Sequence, residues 1–212
     1  ALYYTRGIFP WGNECYLRSD MYHQYAPFFS ELWHKIRNGE SLTYSWNIGM
    51  GTNFTSLFAY YLASPSNWFV ALFPQKYTIE IMNAFIILKI AGSSLSLTYY
   101  LTKHNNNKHV IAAIFGMFYG MSGFIAAYSW NIMWLDCVIL VPLVMLGLER
   151  LVNENRCIFY CITLGLCIFT NYYIAIMVCL SVVIYYVVLM IAYNGIKSPM
   201  QYVKKFINFC VY

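Results

Sequence analysis

The stretch TIEIMNAFIILKIAGSSLSLTYYLT, residues 78–102, decides the fold class because it is almost entirely apolar and long enough to cross a membrane. A membrane-spanning helix needs about 20 consecutive apolar residues. Four further apolar runs follow at 110–128, 132–151, 157–170 and 172–193, of which 157–170 is short. The sequence therefore predicts an all-α polytopic membrane protein with about five spanning helices.

The composition excludes an ordinary soluble domain. Charged residues make up 10% of the 212 residues and hydrophobic residues 60%, whereas a soluble domain carries about 25% charged residues. The net charge of +5 does not indicate nucleic-acid binding, because in a membrane protein the position of each Lys and Arg matters more than their sum. Membrane lipid is the expected surrounding, and nucleic acid is not an expected partner.

The joints between the apolar runs alternate in charge. KHNNNKH (103–109), ERLVNENR (149–156) and GIKSPMQYVKK (195–205) are basic, whereas YSWN (128–131) and TNYY (170–173) carry no charge. Cytoplasmic loops are enriched in Lys and Arg. We therefore predict that the basic joints are cytoplasmic, that 78–102 runs from outside to inside, and that residues 1–77 form an external segment before a bundle at 78–212.

The external segment has structure of its own. In PFFSELWHKIRNG, Pro27 suits a first helical turn and Gly39 suits a helix end. Apolar and polar side chains fall on opposite faces, which predicts an amphipathic helix lying in the membrane interface. Its apolar face would hold Phe28, Phe29, Leu32, Trp33 and Ile36, and its polar face Ser30, Glu31, His34, Lys35 and Arg37.

Residues 54–74, FTSLFAYYLASPSNWFVALFP, are apolar but interrupted by Ser64-Pro65-Ser66. They suit either a pair of interfacial or re-entrant helices or one kinked spanning helix. The charge alternation favours the pair, because a full crossing would reverse every later helix. The apolar residues at both ends of the chain, with another run starting at KKFINFCVY, suggest part of a longer protein.

Polar residues from three separate segments are predicted on the external side. Asp20 lies in SDMYHQYAPFF (19–29), Asp136 about four residues below the external end of its helix, and Asn171 at the TNYY corner. A carboxylate within a spanning helix tends to face a cavity or a partner. Asp20 suits a helix cap or a catalytic acid, and Asp136 suits a packing role or a ligand contact.

Lys89 is the most unusual residue of the first spanning run. An unpaired ammonium near the middle of a membrane is costly, so Lys89 needs either a structural ion pair or an anionic substrate. His23, three residues after Asp20, suits an interfacial side chain or a ligand contact.

Three stretches resemble the YfhO family of bacterial membrane proteins, in order along nearly the whole chain. They are SDMYHQYAPFFSELWHKIRNGESLTYSWNIGMGTNFTSLFAYYLASPSNWF (19–69), NIMWLDCVILVPLVMLGLERL (131–151) and TNYYIAIMVC (170–179). The resemblance implies a GT-C-like glycosyltransferase of the bacterial plasma membrane. Such an enzyme moves a sugar from a polyprenyl-phosphate donor to a cell-envelope polymer, such as lipoteichoic acid, on the external face.

The resemblance also implies that the acid of the first external loop is catalytic, and Asp20 matches that position. A sugar hydroxyl needs a carboxylate to take its proton, and the lipid-phosphate leaving group needs cations. Lys35, Arg37 and Lys89 are candidates for the cation, and Tyr22, Tyr25, Trp46 and Trp130 for stacking on a sugar. The predicted substrate-binding set is His23, Tyr22, Tyr25, Lys89, Asp136 and Asn171.

Some GT-C enzymes hold a divalent metal near their external acids, and Asp20 with His23 would supply two ligands, which is too few to predict a site. Two other functions fit the sequence. A transporter or flippase of lipid-linked precursors would use Lys89 and Asp136 as pathway charges. A non-catalytic membrane scaffold would tolerate the loss of Asp20.

Overall fold

The computed structural model describes residues 2–8, 11–15, 17, 20–105, 109–192 and 199–211. Helices dominate them, as the composition predicts. In chain order the α-helices are α1 (Leu2–Thr5), α2 (Ala26–Asn38), α3 (Phe54–Leu57), α4 (Thr78–His104), α5 (His109–Gly120), α6 (Gly123–Tyr128), α7 (Leu135–Glu154), α8 (Ile158–Thr170), α9 (Tyr172–Ala192) and α10 (Pro199–Val211).

Shorter elements fill the N-terminal segment. Met21–Tyr25 and Phe58–Leu62 are π-helical turns, and Pro65–Leu72 and Gln75–Tyr77 are 3-10 helices. Two short antiparallel strands, β1 (Tyr44–Ser45) and β2 (Thr52–Asn53), form a hairpin in which Tyr44 pairs with Asn53.

Helices α4, α7 and α9 run in the same direction. Lys89 of α4 contacts Asp136 at the start of α7, and Tyr100 contacts Glu149 near the end of α7. Tyr185 of α9 also bonds Glu149. We call the end of the bundle where these three helices begin the Asp20 face, and the end where they finish the Glu149 face.

Helices α5 and α8 return in the opposite direction. Tyr119, near the end of α5, donates to the Val138 carbonyl near the start of α7. Cys137 at the start of α7 meets the Cys167 carbonyl near the end of α8. The chain therefore passes up and down between the two faces, in the order that the alternating joints predict.

The basic joints meet at the Glu149 face wherever the structure describes them. Lys103 and Arg150 line one cleft there with Glu149. Lys205 of α10 donates to the Val152 carbonyl in the last turn of α7, where a cation suits the negative helix end. Lys108 and Lys197 lie outside the described residues.

Three helical stretches in the described part of the chain have the length and composition of membrane spans: Gln75–His104, His109–Tyr128 and Tyr172–Ala192. The predicted span at 132–151 becomes α7, which is 20 residues long but carries Asp136, Glu149 and Arg150. The predicted span at 157–170 becomes α8, which has 13 residues and measures about 20 Å at 1.5 Å per residue. A crossing by α7 or α8 stays a prediction.

Helix α2 forms where the sequence predicts it, with Pro27 in its first turn and Gly39 in a left-handed conformation at its end. The burial of α2 follows the predicted faces only in part, and its place in the membrane interface stays a prediction. Phe29 and Leu32 pack into the protein core with Met82 and Ile86 of α4. Of the polar residues, Glu31 and Lys35 are buried as well.

The β-hairpin explains the buried charges of α2. Ser45 and Asn47 donate to the two carboxylate oxygens of Glu31, at 2.6 and 3.0 Å. Lys35 donates to the carbonyls of Ser41 and Tyr44. Spacing within α2 could not reveal this cover, because it comes from residues beyond the helix.

Residues 54–72 form a pair of short helical segments rather than one long helix. Helix α3 continues into Phe58–Leu62, the chain is extended at Ser64, and Pro65 opens the second segment. Leu62 and Val70, one from each segment, are fully buried in the core cluster. The two segments are separate short helices, and their interfacial or re-entrant position stays a prediction.

Small residues bring α4 and α5 into close contact. A Cβ atom added at Gly116 would come within 2.5 Å of the Ser94 carbonyl oxygen and overlap the Thr98 hydroxyl. Gly120, one turn later, faces Ser94 in the same way. This is the small-xxx-small arrangement by which membrane helices approach closely.

We expect Gly116→Leu to destabilise the bundle by about 1–3 kcal/mol, because the added side chain must push α4 and α5 apart. The matched control is Gly165→Leu in α8, since a Cβ at Gly165 meets nothing within 4 Å. Denaturant unfolding in micelles measures both variants. Equal stability of the two would contradict the close α4–α5 contact.

Candidate functional site

Asp20 immediately precedes the π-helical turn Met21–Tyr25 and is exposed. Its side chain makes no capping hydrogen bond to that turn, so the alternative that Asp20 serves as a helix cap is wrong. Tyr22 and His23, which follow it, are exposed and their rings meet edge to face at 5.3 Å. The three residues together present a polar, solvent-accessible edge.

Tyr25 connects this edge to the bundle. Its ring is buried and stacks on Trp130 at 6.2 Å, with the ring of Tyr61 at 5.5 Å on another side. Burial raises the pKa of Tyr25, and the Asp20 carboxylate raises it further. Burial also raises the pKa of Tyr61, to which Tyr60 and Asp20 contribute. Asp20 therefore lies close enough to both phenols to act on them electrostatically.

The rings continue across the Asp20 face onto α9. Tyr60 meets Tyr172 at 5.7 Å and Tyr173 at 6.4 Å, and Trp134 stacks with Tyr173 at 6.2 Å. We call the whole set the aromatic cluster: Tyr25, Tyr60, Tyr61, Trp130, Trp134, Tyr172 and Tyr173. It joins the N-terminal segment, the start of α7 and the start of α9.

Two hydrogen-bond donors within this region have no partner among the described residues. Asn131 is 2% exposed, and its Oδ1 accepts from the Tyr25 hydroxyl at 2.8 Å while its Nδ2 is unsatisfied. The indole Nε1 of Trp134 is unsatisfied as well. Buried donors normally have partners, ordered water included. Two N–H groups beside the aromatic rings are therefore without a protein acceptor among the described residues.

Lys89 and Asp136 pair with each other. The Lys89 ammonium lies 2.6 Å from the Asp136 carboxylate and 3.3 Å from the Ile132 carbonyl oxygen. Both side chains are largely buried, at 5% and 14% exposure. The ion pair is thus present, and a contact of either residue with substrate stays a prediction.

Asn171 is fully buried and uses its whole amide within the protein. Its Nδ2 donates to the Tyr60 carbonyl at 3.1 Å, and its Oδ1 accepts from the Ile174 amide in the first turn of α9. It fastens the Phe58–Leu62 turn to the α8–α9 corner. The predicted substrate contact of Asn171 stays a prediction, and the structure gives both amide groups protein partners.

The three cations considered for binding the leaving phosphate differ in whether other protein groups already bind them. Lys35 is buried and bound to carbonyls, and Lys89 is paired with Asp136. Arg37 is exposed, lies 5.8 Å from the Trp33 ring, and forms no ion pair with a described carboxylate. Trp46, considered for stacking, is 77% exposed and contacts Tyr44 in the hairpin rather than the aromatic cluster.

A side-chain metal centre does not fit the part of the chain that the structure describes. No three His, Cys, Asp or Glu side chains converge there in a way that could hold a metal ion. Asp20 and His23 supply two ligands, whereas a catalytic zinc takes three from the protein.

Sequence reasoning missed Asn131 and the Tyr60-Tyr61 pair. The pair has the character of belt aromatics, and Asn131 sits in the uncharged YSWN joint, where its amide gave no signal of its own. One signal was available. YSWN, the tyrosine pair and TNYY were all predicted on the same side of the membrane, and each contains aromatic residues.

We expect Tyr25→Phe to destabilise the protein by about 1–3 kcal/mol, because it leaves the buried Asn131 amide without its remaining partner while keeping the ring contacts. The control is Tyr22→Phe, since Tyr22 is 60% exposed and loses a hydroxyl that water can satisfy. Thermal unfolding in detergent compares the two variants. A Tyr25→Phe protein as stable as Tyr22→Phe would show that the Tyr25–Asn131 bond contributes little.

The apolar helices and their up-and-down packing define an all-α membrane protein. The chain belongs to the YfhO family: the sequence profile of the family described as bacterial membrane protein YfhO matches residues 1–212. No curated protein and no solved structure matches the chain.

Proposed function

We propose that this protein transfers a sugar from a polyprenyl-phosphate carrier to a cell-envelope polymer, with lipoteichoic acid as a candidate acceptor, on the external side of the bacterial plasma membrane. Its membership of the YfhO family supports an envelope membrane function of this type. In this proposal the protein crosses the membrane several times, the Asp20 face is external, and the basic Glu149 face is cytoplasmic.

The observation that carries the proposal is an exposed carboxylate at the edge of a large aromatic cluster. Asp20 immediately precedes the Met21–Tyr25 turn, whose last residue is part of that cluster, and its carboxylate raises the pKa of Tyr25 and Tyr61. Aromatic faces suit the apolar faces of sugar rings, and the exposed Tyr22 hydroxyl and His23 ring suit sugar hydroxyls. A saccharide site needs this combination of aromatic faces, hydrogen-bond donors and an acid.

Asp20 has a defined task in such a transfer. The acceptor hydroxyl attacks the anomeric carbon of the donor sugar, and the bond between that carbon and the phosphate oxygen breaks. Asp20 takes the proton of the attacking hydroxyl. The electron pair leaves with the lipid phosphate, whose charge needs cations or backbone donors. Of the three candidate cations, Arg37 forms no ion pair with a described carboxylate, whereas Lys35 and Lys89 do.

The transporter interpretation remains the second candidate, because paired charges within membrane helices also mark transport pathways. Its pathway charges, Lys89 and Asp136, neutralise each other at 2.6 Å. The N-terminal segment also contributes Tyr25, Tyr60 and Tyr61 to the aromatic cluster, which suits a site built on the Asp20 face. A transferase and a flippase nevertheless differ most sharply in product.

The experiment is transfer by membranes that contain the whole protein. Proteoliposomes receive a radiolabelled polyprenyl-phosphate sugar and an envelope polymer outside, and empty liposomes serve as the control. We expect label in the polymer. Movement of labelled carrier between the leaflets without transfer would instead support a flippase. Neither product with any of several carrier sugars would favour a scaffold.

A further inference from the structure

The Glu149 face, at the opposite end from Asp20, contains a polar cleft that the transferase proposal does not use. The cleft has a volume of about 330 Å³ and opens between the last turns of α4, α7 and α9. Lys103, Arg150 and Asn153 line it beside the apolar side chains of Leu146 and Leu189. Cations beside an apolar wall are typical of lipid-headgroup sites between membrane helices.

The acidic residues of the cleft are already engaged. Glu149, 8% exposed, accepts hydrogen bonds from the Tyr100 and Tyr185 hydroxyls, and His104 Nδ1 lies 2.9 Å from the same carboxylate oxygen. Glu154 pairs with Arg156 at 3.2 Å. Both carboxylates therefore already have hydrogen-bond or ion-pair partners within the protein.

The lysine and the arginine of the cleft have no carboxylate partner among the described residues. Within the described residues, Lys103 and Arg150 form no ion pair with a carboxylate. Each instead lies against an aromatic ring, Lys103 at 5.8 Å from Tyr99 and Arg150 at 5.0 Å from Phe159. The rings are in contact with the charged groups themselves, which still have N–H groups to donate to an anion.

We propose that this cleft binds the phosphate headgroup of an anionic membrane phospholipid, with Lys103 and Arg150 contacting the phosphate. Asn153 offers an amide to the headgroup, and Leu146 and Leu189 line the side on which the acyl chains begin. A free anion uses the cations alone, whereas a lipid uses the cations and the apolar wall together. The site does not depend on the proposed transferase activity.

The test is lipid binding by the whole protein in neutral-lipid nanodiscs that contain rising fractions of phosphatidylglycerol. Native mass spectrometry counts the retained lipid, and the unfolding temperature reports its effect. We expect Lys103→Gln/Arg150→Gln to raise the half-saturating fraction about 30-fold, because each cation near a membrane surface contributes about fivefold to anionic-lipid affinity.

Two control variants separate charge from folding. Lys204→Gln removes an exposed cation of α10 that does not line the cleft, so we expect binding like the wild type. Lys103→Arg/Arg150→Lys keeps both charges and should keep most of the binding. The single Gln variants, each with about a fivefold loss, serve as the test if the double Gln variant does not fold.

Several outcomes would overturn the proposal. Equal retention of phosphatidylglycerol by the wild type and the Gln variants would place the lipid elsewhere. Retention of phosphatidylcholine equal to that of phosphatidylglycerol would show that binding does not depend on the headgroup charge. Stabilisation by inorganic phosphate, at the same total phosphate, that matches stabilisation by the lipid would assign the cleft to a free anion.

Discussion

Asp20→Asn should lower sugar transfer by about 10²–10⁴-fold, the contribution that a positioned general base makes to a proton transfer. The amide of asparagine keeps the size and polarity of the side chain but cannot accept the acceptor hydroxyl's proton. Asp20 is exposed, so the folded protein should keep its stability. The measurement is the initial rate of label transfer at matched protein levels in proteoliposomes.

The control for this variant is Glu40→Gln, another exposed carboxylate of the N-terminal segment. Glu40 pairs with His34 at 3.0 Å and lies 3.8 Å from the Lys35 ammonium, and pairs made by an exposed carboxylate of this kind contribute about 0–1 kcal/mol. We expect transfer by Glu40→Gln to match the wild type. Transfer by Asp20→Asn at the wild-type rate would remove Asp20 from the mechanism and leave Asp136 as the next carboxylate to test.

The sequence predicts the helices well because their signals are local. The run of apolar residues between Thr78 and Thr102 is sufficient to place α4, and Pro27 with Gly39 marks both ends of α2 closely. The break between α5 and α6 is harder to foresee from hydropathy. There Gly120 ends one helix, and the Ser122 hydroxyl accepts from the Ile125 amide to begin the next.

Pairings between distant residues could not be predicted from one sequence. The amphipathic pattern of α2 places Glu31 in solvent, but the hairpin that buries it lies 14 residues further along the chain. Asn131 meets Tyr25 across 106 positions. The spacing of apolar residues along a helix predicts which of its faces is apolar. It does not predict which other part of the chain packs against that face.

In the candidate site, too, single residues could be recognised from the sequence, but their partners could not. Asp20 was noticed as a charge among aromatic residues, and its catalytic role is implied by the family resemblance. The structure adds Tyr60 and Tyr61 to the aromatic cluster that Tyr25 joins. Lys89 was identified by its cost in an apolar helix. Its partner, Asp136, could not be identified from the sequence of α4 or of α7 alone, because the pair forms only when the two helices pack in parallel.

Lys89→Met should destabilise the protein by about 3–5 kcal/mol, because it leaves the Asp136 carboxylate buried without its counter-ion. The double variant Lys89→Met/Asp136→Leu should recover most of that stability, since well-packed apolar pairs often replace a buried ion pair at little cost. Unfolding by denaturant in mixed micelles measures both. Arg156→Met, which breaks an exposed pair with Glu154, should change stability by about 1 kcal/mol or less.

The double variant also decides between the two roles open to Lys89. If the charges only hold α4 against α7, sugar transfer returns together with stability, and this is the result we expect from their 2.6 Å contact. If Lys89 binds the donor phosphate, transfer stays low in a protein that is otherwise stable. A Lys89→Met protein as stable as the wild type would instead show that Asp136 is satisfied without Lys89, which would contradict the ion pair as a structural element.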